Sequence, residues 1–220
     1  MTKKHKPVTG APERRTCFYE VRAEREEQGA FITGHPIVFN QITEIGKLFR
    51  EVIDPLAVDD QTDMRDVCLL VGHDDCMIPL ARSRNNNGNS TMRLFLDPVG
   101  VAMRASLDTE NNGTASALYS AADRGDISGM SFRFVVDKEQ WEELDSEMPL
   151  RRILHISRIV EVSATAFPAY GGTDLEAADE SGRLESLTAL LESARKRHNE
   201  ERAAQENAER REKALQTLRR

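Results

Sequence analysis

The strongest constraint on the fold is a strict alternation of apolar and other side chains along DISGMSFRFVVD (126–137). Successive side chains of a β-strand point to opposite faces, so alternate residues share a face. One face carries four bulky apolar residues: Met130, Phe132, Phe134 and Val136. The other face carries Gly129, Ser131, Arg133 and Val135. The segment is therefore predicted to be a strand with one face against the core, and Ser131 lies on the opposite face.

A second long strand is predicted within RRILHISRIVEVSATAFPAY (151–170). One predicted face has small and β-branched residues: Val160, Val162, Ala164 and Ala166. The other has His155, Ser157, Ile159, Glu161, Ser163 and Thr165. Glu161 thus shares its predicted face with one histidine and three hydroxyl residues.

The rest of the first 174 residues is also rich in strand signals. CFYEVRAE and AFITGHPIVFN read as two strands around a turn, and Asn87-Gly88 between two strand-like runs predicts a hairpin. TASALYSAADR (114–124) has helical apolar spacing and ends at Gly125. The predicted fold is α+β, a mainly antiparallel, barrel-like sheet with surrounding helices and a C-terminal helical tail.

The composition predicts three regions: a disordered arm (1–16), a domain (17–174) and a charged helical tail (175–220). In the tail, Leu184, Leu187, Leu191 and Ala194 form an apolar stripe at helical spacing, which disappears beyond Lys196. The tail could be a solvated helix or a frayed end, or 181–195 could dock on an assembly partner. No heptad pattern is sustained, which argues against a coiled coil.

Charge, cysteine content and hydropathy indicate the cellular setting and the partners to expect. The net charge of −7 gives no reason to expect nucleic acid as a partner. The three cysteines, Cys17, Cys68 and Cys76, form no C-x-x-C pair, which favours a reducing compartment. No window approaches 18 consecutive apolar residues and no secretory signal is present, so we expect a soluble intracellular protein with no membrane partner.

Ser131 is a candidate nucleophile, although its position alone favours a small polar residue on a solvent-facing strand face. The G-x-S-x-G pattern of a nucleophile elbow is absent because Arg133 occupies its last position. Ser128, three residues earlier, is better interpreted as a turn or capping residue.

His73 ends the apolar run CLLVGHDD, and an imidazole can accept a serine proton near neutral pH. It could instead be a surface histidine beside Asp74 and Asp75. A metal site is a further alternative, because Cys68, His73 and Cys76 give C-x4-H-x2-C. That spacing matches no common zinc motif and lacks a second ligand pair.

Glu161 lies among β-branched residues, where a carboxylate needs a partner. It could orient a histidine through its Nδ1–H, or it could pair with an arginine across the sheet. His155, on the same predicted face, is the rival for this third position.

Together, six segments in order resemble the prohead protease family of tailed bacteriophages, from about Phe31 to Thr173. GHPIVFN resembles the opening strand and EVIDPLA the Glu-Val-Ile-x-Pro segment that follows it. VGHDD resembles the Asn-His-Asp motif, and LARSRN resembles the next block. ISGMSFRF resembles Gly-x-Ser-Phe-Gly-Phe, and RIVEVSATAFPAYGGT resembles Leu-x-Glu-Val-Ser-x-x-x-x-Pro-Ala-Tyr.

The resemblance implies a serine endopeptidase related to the herpesvirus assemblin-type proteases, with a β-barrel surrounded by helices. By position, Ser131 would be the nucleophile, His73 the general base and Glu161 the third member, although the herpesvirus enzymes use a second histidine there. The implied substrates are the scaffolding protein, the scaffold segment of the major capsid protein, and the enzyme itself. No metal or organic cofactor is implied, and the expected location is the host cytoplasm, inside the assembling prohead.

Two residues depart from the family motifs. Gly72 replaces the Asn before the histidine, and Arg133 replaces the Gly after Ser-Phe. Arg133 could narrow the cleft or add charge to it, but a surface strand residue is the simpler interpretation. A non-enzymatic capsid-assembly or scaffold protein, using 175–220 for docking, is the alternative function.

Overall fold

The structure, a computed structural model, describes residues 12–17, 21–166 and 180–218. It contains eleven strands and two α-helices within these residues. In chain order they are β1 (Glu13–Cys17), β2 (Arg22–Glu26), β3 (Gly29–Val38), β4 (Thr43–Ile45), β5 (Phe49–Ile53), β6 (Cys68–Val71), β7 (Ala81–Arg82), β8 (Met92–Leu96), β9 (Gly100–Leu107), α1 (Gly113–Asp123), β10 (Gly129–Glu142), β11 (Leu150–Thr165) and α2 (Glu180–Leu218).

The strands form two sheets. One is seven-stranded, with the order β1-β10-β11-β5-β4, and β6 pairs with both β11 and β7. The other is four-stranded, with the order β2-β3-β9-β8. Among these strands, every pairing is antiparallel except those of β11 with β5 and β6. The mixed α+β class and the mainly antiparallel pairing are confirmed. The predicted barrel-like sheet is wrong, because the described strands form two sheets rather than one closed sheet. The predicted surrounding helices are also wrong, because α1, between β9 and β10, is the one α-helix among the described strands.

The apolar faces of the two sheets meet in one core, to which the predicted alternation of β10 contributes directly. Phe132 and Phe134 are fully buried, with ring centroids 4.5 Å apart. On β11 the prediction was wrong for Ile159, which pairs with Phe134 and packs in the core. The register of the two strands shifts between Arg133 and Phe134, and this bulge changes which residues face the core. Glu161 consequently lies on the opposite face from Ile159.

Local signals located α1 correctly but failed for the Asn-Gly segment. Asn112 caps α1 by accepting hydrogen bonds from the N–H groups of Thr114 and Ala115, and Gly125 follows the helix with φ +77°. The predicted hairpin at Asn87-Gly88 does not form. Residues Arg84–Asn86 make a 3₁₀ turn, and β7 and β8 belong to different sheets.

Helix α2 packs on the domain through the predicted apolar stripe. Leu187, Leu191 and Ala194 are buried, whereas Leu184 is 39% exposed. Their cluster also contains Ile45, Phe49 and Leu144. The docking interpretation of this stripe is therefore corrected, because its apolar face is already covered by the chain's own domain. Neither helix of the described chain is both long and apolar enough to cross a membrane.

The predicted disordered arm (1–16) is wrong for its last four residues, because residues 13–16 belong to β1, which pairs with β10. Hydrogen bonding to the exposed edge of β10 stabilises this strand, and composition gives no indication of such a partner. Residues 1–11 of the arm, and the predicted boundary between 174 and 175, lie outside the described residues.

Candidate active site

The turn after β6 positions His73. Gly72 and His73 both have φ near +58°, in the left-handed region. Asn and Gly are the residue types that adopt this conformation most readily, so Gly72 in place of the motif's Asn preserves the turn. A side chain at Gly72 would meet no atom within 4 Å, so the backbone angle rather than space governs the residue type here. The turn directs the His73 side chain back over the sheet.

The structure brings the three sequence-predicted site residues together. His73 Nε2 lies 2.6 Å from Ser131 Oγ, and His73 Nδ1 hydrogen-bonds with Glu161 Oε1. Ser131 is on β10 and Glu161 on the adjacent β11, and His73 follows β6, which pairs with the other edge of β11. With Nδ1 protonated toward the carboxylate, the Nε2 lone pair points at the serine hydroxyl. This arrangement can take a proton from the serine.

Ser163 completes the hydrogen bonding of the site, and the sequence analysis did not single it out. Its hydroxyl donates to Glu161 Oε2 at 2.7 Å and accepts from the His73 backbone N–H at 3.1 Å. Ser163 pairs with Ser131 across β10 and β11, which puts it on the face of the site. Its two-residue spacing from Glu161 on the same strand was the available signal.

Arg133 is part of the site, so its interpretation as a surface residue is wrong. Its side chain is 15% exposed, donates to Asp75 at 2.9 Å and has its Nε 3.7 Å from Glu161 Oε1. That Nε is buried without a hydrogen-bond partner among the described residues. The guanidinium also holds the pKa of Asp75 below its usual range, through a hydrogen bond that outweighs desolvation. A positive charge thus lies next to the buried carboxylate.

Strand β1 covers the Ser131 hydroxyl. Ser131 is 1% exposed, and its hydroxyl donates to the backbone carbonyl of Arg15 at 2.7 Å. The sequence analysis missed this contact because it assigned Arg15 to a disordered arm, and no local pattern marks the residue.

Next to this contact lies a buried ionic cluster in which Glu13, Arg15, Glu51 and Arg151 are hydrogen-bonded to one another. Burial opposes ionisation of Glu13, but the neighbouring guanidinium groups outweigh it and lower its pKa to about 2. Burial likewise acts to lower the pKa of Arg15 and Arg151, but the surrounding carboxylates outweigh it and raise both. Glu13, Arg15 and Arg151 are therefore charged near neutral pH.

His155, the rival third member, lies elsewhere on β11. Its Nδ1 bonds with Asp137 and its Nε2 lies 3.3 Å from Asp59, so neither ring nitrogen faces His73. For the alternative metal site, no cluster of three or more His, Cys, Asp or Glu side chains suited to a metal occurs among the described residues. Both ring nitrogens of His73 are moreover engaged by Glu161 and Ser131.

A serine hydroxyl, an imidazole and a carboxylate joined by hydrogen bonds in this order form the arrangement of a serine hydrolase. The chain also matches the family Peptidase_S78, caudovirus prohead serine protease, over residues 18–186. It therefore belongs to this family and is a serine peptidase with a role in phage capsid maturation. No match was found among curated proteins or among solved structures.

Proposed function

We propose that the chain is an endopeptidase of the assembling prohead in which Ser131 is the nucleophile, His73 the general base and Glu161 the carboxylate that orients the histidine. Its proposed substrates are the scaffolding protein or the scaffold segment of the major capsid protein, and the enzyme itself. The observation that carries the assignment is the 2.6 Å contact between His73 Nε2 and Ser131 Oγ.

The mechanism follows from these contacts. His73 Nε2 takes the hydroxyl proton as Ser131 Oγ bonds to the scissile carbonyl carbon, and Glu161 stabilises the imidazolium that forms. The tetrahedral intermediate collapses, the C–N bond breaks, and His73 returns the proton to the leaving amine. Water then attacks the acyl group with His73 again as base, which releases the acid and regenerates the serine.

The test compares Ser131→Ala with Ser128→Ala, an exposed serine three residues away. Removal of the nucleophile should reduce kcat about a million-fold, whereas Ser128→Ala should cleave normally. Cleavage of co-expressed scaffolding protein and the melting temperature would be measured together. Normal processing by a folded Ser131→Ala protein would refute the nucleophile assignment. Loss of wild-type activity on treatment with a chelator, with recovery on adding zinc, would instead favour a metal-dependent reaction.

We assign the proposed role of the tail, which is to direct the enzyme into the assembling shell, to the exposed and charged part of α2. Residues 199–213 are all exposed. Truncation after Asn199 keeps the buried stripe and should leave peptide cleavage intact while reducing incorporation into proheads. Normal incorporation of this truncated protein would contradict the proposal. Truncation after Thr173 would remove the stripe as well, so it tests stability rather than docking.

A further inference from the structure

The reacting groups of the proposed site are inaccessible in this structure. Ser131 is 1% exposed, and the side chains of His73 and Glu161 are 2% and 3% exposed. A peptide bond of a substrate must approach Ser131 Oγ to be cleaved. Some element therefore has to leave before the site can act, and the element in contact with the hydroxyl is β1.

Strand β1 lies where an extended peptide would bind. It pairs antiparallel with β10, the strand that carries the nucleophile, and its Thr16 lies directly opposite Ser131. Adding a strand to the edge of a sheet is a common way for proteins to bind an extended peptide, because main-chain hydrogen bonds hold any sequence in register. A substrate that used this edge of β10 would have to displace β1.

The contact between β1 and the nucleophile blocks the reaction rather than starting it. Ser131 has one hydroxyl proton, and the Arg15 carbonyl oxygen at 2.7 Å competes for it with His73 Nε2 at 2.6 Å. Attack also requires the carbonyl carbon to face Oγ while the oxygen points to other donors. Here the oxygen of Arg15 faces Oγ, so β1 occupies the site in a non-productive orientation.

The side chain of Arg15 fixes β1 in this place. Its Nε and Nη2 donate to the two carboxylate oxygens of Glu51, at 2.5 and 2.8 Å. A carboxylate bound at both oxygens selects the planar fork of arginine, which the single ammonium group of lysine does not reproduce. Glu51 is 3% exposed, so this pair is shielded from water.

If β1 moved away, the Glu51 carboxylate would still have a charged partner and could bind another arginine. Arg151 also donates to Glu51 Oε2, at 2.9 Å, and is itself 1% exposed. The carboxylate would thus keep one charged partner, whereas its Oε1, which bonds with Arg15 Nε, would lose that donor. A buried carboxylate oxygen without a donor is costly, so an incoming arginine side chain would be bound strongly there.

We propose that β1 occupies the peptide-binding cleft in place of a substrate, and that Glu51 is the subsite for an arginine side chain of the substrate strand. This inference rests on the proposed function, since it takes Ser131 to be the nucleophile. The substrate class is an extended peptide with arginine at the residue whose carbonyl group faces Ser131.

The first experiment measures access to Ser131 in the full-length protein. A fluorophosphonate forms an Oγ–P bond with an activated serine as fluoride leaves, and its rate reports how often the site is open. Arg15→Ala removes the fork to Glu51 and should raise the labelling rate about tenfold to a hundredfold, because each charge-assisted hydrogen bond holds the closed state. Arg93→Ala is the control, since Arg93 is exposed on β8 of the other sheet, and it should label like wild type.

The outcomes separate this proposal from the proposed function. Equal labelling of wild type and Arg15→Ala would overturn the role of β1 and leave the nucleophile assignment intact. Absence of labelling in every folded variant would overturn the nucleophile assignment, and the present proposal with it. Should Arg15→Ala fail to fold, Arg15→Lys keeps the charge but loses the fork, and an unchanged labelling rate in that variant would equally overturn the role of β1.

The second experiment tests the subsite by cleavage of matched peptides with arginine or lysine at the residue before the scissile bond. The wild type should prefer arginine about tenfold or more in kcat/KM, and Glu51→Gln should lose most of this preference. The ratio is the informative quantity, since a merely structural effect of Glu51→Gln would lower cleavage of both peptides alike. No preference in the wild type, or an unchanged ratio in the variant, would overturn the assignment of Glu51.

Discussion

Replacing Glu161 with Gln tests how the carboxylate acts on His73. One carboxylate oxygen of Glu161 hydrogen-bonds with His73 Nδ1, and the other accepts a hydrogen bond from the Ser163 hydroxyl. The Ser163 hydroxyl in turn accepts a hydrogen bond from the His73 backbone N–H. Gln has the same shape but one acceptor and one donor in place of two acceptors. The direction in which the amide settles therefore decides the protonation of the imidazole.

The buried Ser163 hydroxyl favours the amide orientation that leaves the proton on His73 Nε2 and so impairs catalysis. If the amide nitrogen of the substituted side chain faced Ser163, that hydroxyl would receive two donors and its own proton would lose its acceptor, at a cost of about 1–3 kcal/mol. The carbonyl oxygen is thus expected to face Ser163 and the NH₂ to face His73 Nδ1. Nδ1 must then be the unprotonated nitrogen, so Nε2 carries the proton and cannot accept one from Ser131. An Asp-to-Asn change that fixes the wrong tautomer in a serine protease costs about 10⁴ in kcat, and we expect a loss of about 10³–10⁴ here.

The assay is kcat with a fluorogenic peptide for Glu161→Gln, Ser163→Ala and the double variant. Removing Ser163 removes the preference for the harmful orientation, so the double variant should be more active than Glu161→Gln alone. Such a partial rescue is a strongly non-additive result for two residues in contact. If the two losses simply multiplied, the tautomer argument would be refuted. A loss in Glu161→Gln as large as that of Ser131→Ala would also contradict it.

Three further predictions follow from the packing and charges. Leu191→Ala should lower the free energy of unfolding by about 2–5 kcal/mol, because Leu191 is buried, whereas Leu215→Ala at an exposed residue should change it by less than about 0.5 kcal/mol; equal urea midpoints would contradict the packing of α2. Glu13 has a pKa lowered to about 2 from 4.5, so its stabilisation is present above pH 4.5 and lost as the pH falls toward 2. The stability difference between wild type and Glu13→Gln should therefore shrink over that interval, and a constant difference would argue against the ionic cluster. His155→Ala should reduce kcat far less than Glu161→Gln, since its ring faces two aspartates remote from the site; the opposite order would make His155 the third member.

Helix α1 and strand β10 were predictable because their signals are local. Cap residues, helical spacing and strict alternation each depend on a few neighbouring residues, and these determine the backbone conformation directly. The long strand β11 was predicted as a strand, but its bulge was not, since a bulge depends on how two strands register. Ile159 was therefore assigned to the wrong face while Ser163 and Glu161 were assigned to the right one.

The sequence by itself determined the residue types, the order of His before Ser, and the similarity to prohead proteases. Only the tertiary structure brings His73 to Ser131 and Glu161, which are 58 and 88 residues away along the chain. Long-range contacts of this kind depend on which strand edges pair, and a strand pattern does not specify its partner. The same reason explains β1 and α2. Strand β1 pairs with a sheet edge and α2 packs on an apolar patch, and both of these partners exist only once the rest of the chain has folded.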